Sequence, residues 1–131
     1  MWKQFFNLES KFSVIFEDDG RVAYAYLLDD SEIVGDVWLY NRIPAPDVPE
    51  WKSDKEPPYL NAKMYVREPL PFQIPASEED VRIEWMEYEN DVSGARIYLV
   101  GRFAGELCVG SKPGTATAAR KSGPLANVFA G

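Results

Sequence analysis

Histidine is absent from the 131 residues, and cysteine occurs once, at Cys108. Without imidazole there is no Ser-His-Asp triad, no Cys-His pair and no histidine general base, and the commonest ligand for zinc, copper and iron is missing. No cofactor or metal site is expected. A lone cysteine forms no intrachain disulfide, the usual staple of small secreted domains, so a reducing compartment, the cytoplasm, fits best. Cys108 also has no imidazole to activate it and reads as a small apolar residue on a sheet face. No apolar run reaches the length of about 18 residues that a membrane span needs. The start, MWKQFFNLESKF, is interrupted by Lys3, Glu9 and Lys11 and lacks the apolar core of a signal peptide. No membrane association is expected.

Positive charge is scarce: 14 Lys and Arg stand against 21 Asp and Glu, a net charge of -7. An acidic surface repels phosphate backbones and anionic lipid, which argues against a nucleic-acid partner and favours a basic protein. The last acid is Glu106, so Lys112, Arg120 and Lys121 are unopposed in a mildly basic tail. That tail is expected to lie against the acidic body.

What the chain has in abundance is aromatic residues, at 14%, and ten prolines. Rings suit pleated sheets and prolines suit ordered loops. The length is that of one domain, residues 1-131. Residues 12-40 read as a β-meander. FSVIF and RVAYAYLL flank EDDG, and Asp19-Gly20 between two β-prone runs is a hairpin signal. The second run is apolar on both faces and reads as a central strand. In EIVGDVWLY, Ile33, Gly35, Val37 and Leu39 form a core set, opposite a mixed and partly exposed set of Val34, Asp36, Trp38 and Tyr40.

Residues 41-80 carry eight of the ten prolines and form a long Pro-rich excursion, in which only Asn61 to Val66 suits a short strand. A second meander is expected over 81-109. In it VRIEWMEY alternates as a strand, although Ser77 and Asp80 resemble a helix-capping box, and NDVSG turns into ARIYLVGR. Pairing of Glu84 or Glu87 with Arg96 or Arg102 would favour that hairpin. FAGELCVG adds a strand with Phe103, Leu107 and Val109 inward. Residues 110-131 form an irregular tail with room for a short helix over Thr115 to Lys121. The fold class is mainly β: an antiparallel β-sandwich or small β-barrel of about six or seven strands.

Three acidic clusters, EDD (17-19), DDSE (29-32) and EED (78-80), fall at expected turns, match no calcium loop, and read as solvated acids. GELCVGSK imitates a phosphate loop only superficially, because Pro113 stands where a helix would begin. Asp36 is the one acid inside an apolar strand pattern and the one candidate for a carboxyl raised by burial. Trp38, Tyr40, Asn41, Arg42 and Trp51 surround GDVWLYNRIPAPDVPEW and supply the residue types that anchor interfaces. They are the candidate binding residues. The competing reading folds the loop back so that its rings serve the core. The functional expectation is a non-catalytic acidic module engaging a protein partner, as an inhibitor or immunity-type protein does. The alternatives are a carbohydrate-binding or carboxylate-dependent glycan-acting domain, and a small barrel holding an apolar molecule.

Overall fold

The computed structural model describes residues 1-129 and is mainly β, with nine strands in two sheets. β1 (Trp2–Phe6), β2 (Phe12–Asp18), β3 (Val22–Asp29) and β4 (Glu32–Asn41) form an antiparallel meander in the order β1-β2-β3-β4. β5 (Val81–Tyr88), β6 (Asp91–Leu99), β7 (Arg102–Cys108), β8 (Thr115–Ala116) and β9 (Asn127–Val128) form the second sheet in that order. Neither sheet closes on itself. Among the described residues the only helical segments are three 3₁₀ turns of three residues each. None is long and apolar enough to cross a membrane.

The Asp19-Gly20 hairpin forms between β2 and β3, with Gly20 at φ 91° and the Asp19 carboxylate accepting the amides of Arg21 and Val22. β3 lies inside its sheet. Four stretches differ from the sequence expectation. β1 is a strand in a stretch where only the missing signal peptide stood out. The turn before β6 falls at Glu89-Asn90, both at positive φ, so β6 begins at Asp91 and takes in most of NDVSG. Thr115 to Lys121 holds β8 and turns in place of a helix, and Lys63 to Tyr65 within the Asn61–Val66 stretch is a 3₁₀ turn.

β-bulges decide which side chains face inward. Trp38 pairs with Tyr24 and Tyr40 with Ala23, neighbours on β3, so these two rings point to opposite faces although two residues apart. The same happens at Val34: Ile33 pairs with Leu28 and Gly35 with Leu27, which removes Ile33 from the expected core set and leaves it exposed. On β7 a bulge at Ala104 pairs Phe103 with Tyr98 on the outer side, while Gly105 and Leu107 pair with Ile97 and Ala95 inside. Val109 lies beyond the strand and is exposed. Cross-strand charge pairing does form: Glu84, Arg96 and Glu106 sit opposite one another on three neighbouring strands, with Arg96 3.7 Å from Glu84 and 3.4 Å from Glu106.

Val14, Phe16, Leu27, Val37 and Leu39 of the first sheet and Ala95, Ile97, Leu99 and Leu107 of the second share one buried core. Gly105 lets the sheets approach, because a Cβ there would stand 2.8 Å from a Leu39 methyl. The edge of β4 away from β3 is not free. The Gly110 amide donates to Val34 O, Asp36 N donates to Ser111 O, Gly114 N to Asp36 O, and Trp38 N to Leu125 O. The basic tail is thus docked along β4, with Ala116, Ala118, Ala119 and Ala126 buried.

Candidate functional site

The Pro-rich segment crosses the β2–β4 end of the first sheet and is held there by polar groups. Asp18 is 2% exposed; it accepts 2.8 and 3.0 Å bonds from the Arg42 guanidinium and a 2.6 Å bond from the Tyr40 hydroxyl. Burial would raise its pKa, but these donors and the Gly20 amide outweigh burial and hold the carboxyl below its usual value. Glu50 repeats the device within the loop, accepting two bonds from Arg21, one from Lys55 and one from the Leu60 amide. Its pKa is likewise lowered against the effect of burial. Asp18 therefore departs from the expectation that the EDD acids are solvated.

The five candidate binding residues separate. Trp38 and Tyr40 are both 0% exposed, and Asn41 is buried. Trp38 Nε1 donates to Asn41 Oδ1 at 2.9 Å, Asn41 Nδ2 donates to the Asn61 carbonyl, and the Asn61 amide returns a bond to Asn41 Oδ1. These groups hold loop to sheet and present no contact surface. The expected partial exposure of Trp38 and Tyr40 fails for two reasons: the loop at 59-61 covers Trp38, and the bulge turns Tyr40 into the core against Phe72. Arg42 reaches the surface while locked on Asp18. Trp51 is half-buried against Tyr65, with ring centroids 5.8 Å apart.

What the loop leaves uncovered is more informative. On the outer face of the first sheet Tyr24 pairs with Trp38, and one step along Tyr26 pairs with Asp36. The loop stops between those two layers. There a cavity of about 200 Å³ is floored by Tyr24, Tyr26 and Asp36. Pro57, Pro58 and Tyr59 form one wall, and Pro124 and Leu125 the other. The two tyrosine rings lie 12° from parallel with centroids 6.1 Å apart, and the Tyr24 hydroxyl donates to the Tyr59 carbonyl at 2.7 Å.

Asp36 is half-buried; among the described residues its carboxylate accepts no hydrogen bond and forms no ion pair. Burial raises its pKa, and the charge of Lys112 offsets part of that rise. Tyr26 is pushed up to about 12 by burial and by the negative field of Glu17, Asp36 and Asp19. Burial acts most strongly on Tyr24 as well, raising it further. The cavity therefore joins near-parallel aromatic faces to a carboxylate that no described side chain pairs, with acidic residues acting on Tyr26 and the charge of Lys112 acting on Asp36. Sequence reading singled out Asp36 for burial but missed the tyrosines, whose alternation in VAYAYLL was the available signal.

Two larger hollows, of about 620 and 580 Å³, lie among the turns at the opposite end of the strands. In the first, Lys11 and Asp30 stand 3.8 Å apart, so their charges satisfy each other. Cys108 is half-buried, and burial together with Glu106 raises its thiol pKa, the opposite of an activated nucleophile. Among the described residues no three His, Cys, Asp or Glu side chains gather as a metal site would require. Comparison of the chain with protein-family models, with curated proteins and with solved structures finds no match.

Proposed function

We propose that the chain folds as a single open β-sandwich and works in the cytoplasm as a non-catalytic acidic module, engaging a basic protein partner as an inhibitor or immunity-type protein does. The observation that carries this reading is the cavity in which Tyr24 and Tyr26 lie beside the unpaired carboxylate of Asp36. Aromatic area with a polar handle anchors interfaces, and the net charge of -7 speeds encounter with a basic surface. A half-buried carboxylate without a partner costs stability, and such a cost is commonly tolerated where function needs the group. Trp38, Tyr40 and Asn41 contribute through the scaffold, by fixing the loop that forms one wall. Arg42 and Trp51 lie at the surface of the same loop.

The parallel tyrosines beside an acid also suit a sugar ring, which keeps the carbohydrate reading as the second choice. Small-barrel binding of an apolar molecule has less support, because the sheets stay open and Val14, Phe16, Leu27, Ile97 and Leu107 fill the space between them. Affinity capture from lysate at low and high ionic strength, with wild type beside Tyr26→Ala, tests the choice. The module reading expects a stoichiometric basic protein, released by salt and lost with the variant. Capture that is indifferent to both salt and Tyr26, or no capture together with a response to a glycan panel, overturns it.

A further inference from the structure

The uncovered cavity on the first sheet has a more specific chemistry than general acidity. Resting on the reading of this face as a protein-binding site, we infer that the cavity formed by Tyr24, Tyr26 and Asp36 receives the guanidinium of an arginine side chain carried by the partner.

Four observations converge on that group. The floor is aromatic, and guanidinium, being planar and weakly hydrated, stacks on ring faces more readily than a compact, strongly hydrated ammonium. Tyr26 and Asp36 are directly opposed across β3 and β4, which sets their Cβ atoms about 5 Å apart. One planar cation stacked on Tyr26 therefore reaches both Asp36 oxygens in a forked contact. The walls are Pro57, Pro58 and Tyr59 on one side and Pro124 and Leu125 on the other, a mainly apolar lining that holds the site partly dry and strengthens a charged hydrogen bond formed inside it. Finally, the chain's own bases leave Asp36 unoccupied: Arg21 and Lys55 are committed to Glu50, Arg42 to Asp18, and Arg96 to Glu84 and Glu106. Lys112 acts on Asp36 through its charge without making an ion pair.

A sugar would use the same rings but has no use for the surrounding field of Glu17 and Asp19, which acts on Tyr26 from the neighbouring strand and its turn. A charged ligand does. The conservative change Asp36→Asn removes the anion and preserves shape, so it separates charge recognition from packing.

The test is an NMR titration with acetyl-Gly-Arg-Gly-amide and its lysine and citrulline analogues, carried to about 10 mM, where a contact with a Kd of several millimolar is still visible. Amide shifts centred on Tyr24, Tyr26, Asp36 and Leu125 are expected for the arginine peptide. Citrulline, isosteric and neutral, should bind about tenfold or more weakly, as should the arginine peptide to Asp36→Asn, in keeping with a charge-assisted bond. Tyr26→Leu, with an unchanged urea midpoint, should weaken all three peptides together. Equal binding of arginine and citrulline, insensitivity to Asp36→Asn, shifts confined to another surface, or no binding at all overturns the inference. In each of those cases a basic partner captured in a salt- and Tyr26-dependent way leaves the module reading standing, so the two fail separately.

Discussion

Asp18 and Asp36 show how two carboxyls of one β-meander come to opposite roles. Asp18 is surrounded by donors, and its charge is part of the fold; Asp36 has none among the described residues, and its charge weighs against the fold. Asp18→Asn should cost about 3 kcal/mol, because it removes the charge that Arg42 faces and replaces one of the two acceptor oxygens shared by Arg42, the Tyr40 hydroxyl and the Gly20 amide with an NH2 donor. Asp36→Asn should leave stability unchanged or raise it. Urea denaturation of the two variants against wild type checks both signs, and a destabilised Asp36→Asn would mean that its carboxylate has a structural partner. The Asp36 effect has a pH signature. Its folded pKa lies above its unfolded value, so the penalty is full at neutral pH, shrinks as pH falls through the folded pKa, and vanishes below the unfolded value near 4. The stability gap between Asp36→Asn and wild type should close over the same window.

At the scale of elements, the β6–β7 turn places Val100 at φ 49° and Gly101 at φ 77°. A β-branched residue in the left-handed region is strained, whereas Asn-Gly is the preferred pair for this turn. Val100→Asn should raise stability by about 1 kcal/mol in urea melts. Where the sheets meet, Gly105→Val should cost about 2 kcal/mol or more, since its side chain would be driven into Leu39 and the Thr115 carbonyl. Strand positions and turns of this kind were legible in sequence, because alternation and Asp-Gly are local signals. Faces were legible only where no bulge intervened. Val37 and Leu39 reach the core as their spacing implies, but the bulges send Ile33 and Phe103 to the other side, since one extra residue inverts every later side chain.

For the whole molecule, acidity and polar clamping make stability depend on pH in a definite direction. Asp18 and Glu50 have folded pKa values below their unfolded ones. Their contribution is fully present above the unfolded values near 4 and is lost as pH falls through the lowered folded values. Thermal melts should therefore hold their midpoint through weakly acidic pH and drop below about pH 4. Glu50→Gln should flatten that drop. Hydrogen exchange should show the amides of Leu60 and Asn61 leaving protection earlier in acid than the Val14 or Leu27 core, because the loop is clamped by the carboxyl that protonates.

The sequence by itself determined the mainly β character, the hairpin at Asp19-Gly20, and the loss of every chemistry that needs imidazole, because each depends on residue type or near-neighbour spacing. Tertiary structure alone decided that the loop at 59-61 seals Trp38, that the tail near Leu125 borders β4, and that Asp36 is left opposite Tyr26 with no partner among the described residues. Those outcomes join residues ten to ninety positions apart, and they depend on bulges and loop closure that no short-range pattern of apolar and polar residues encodes.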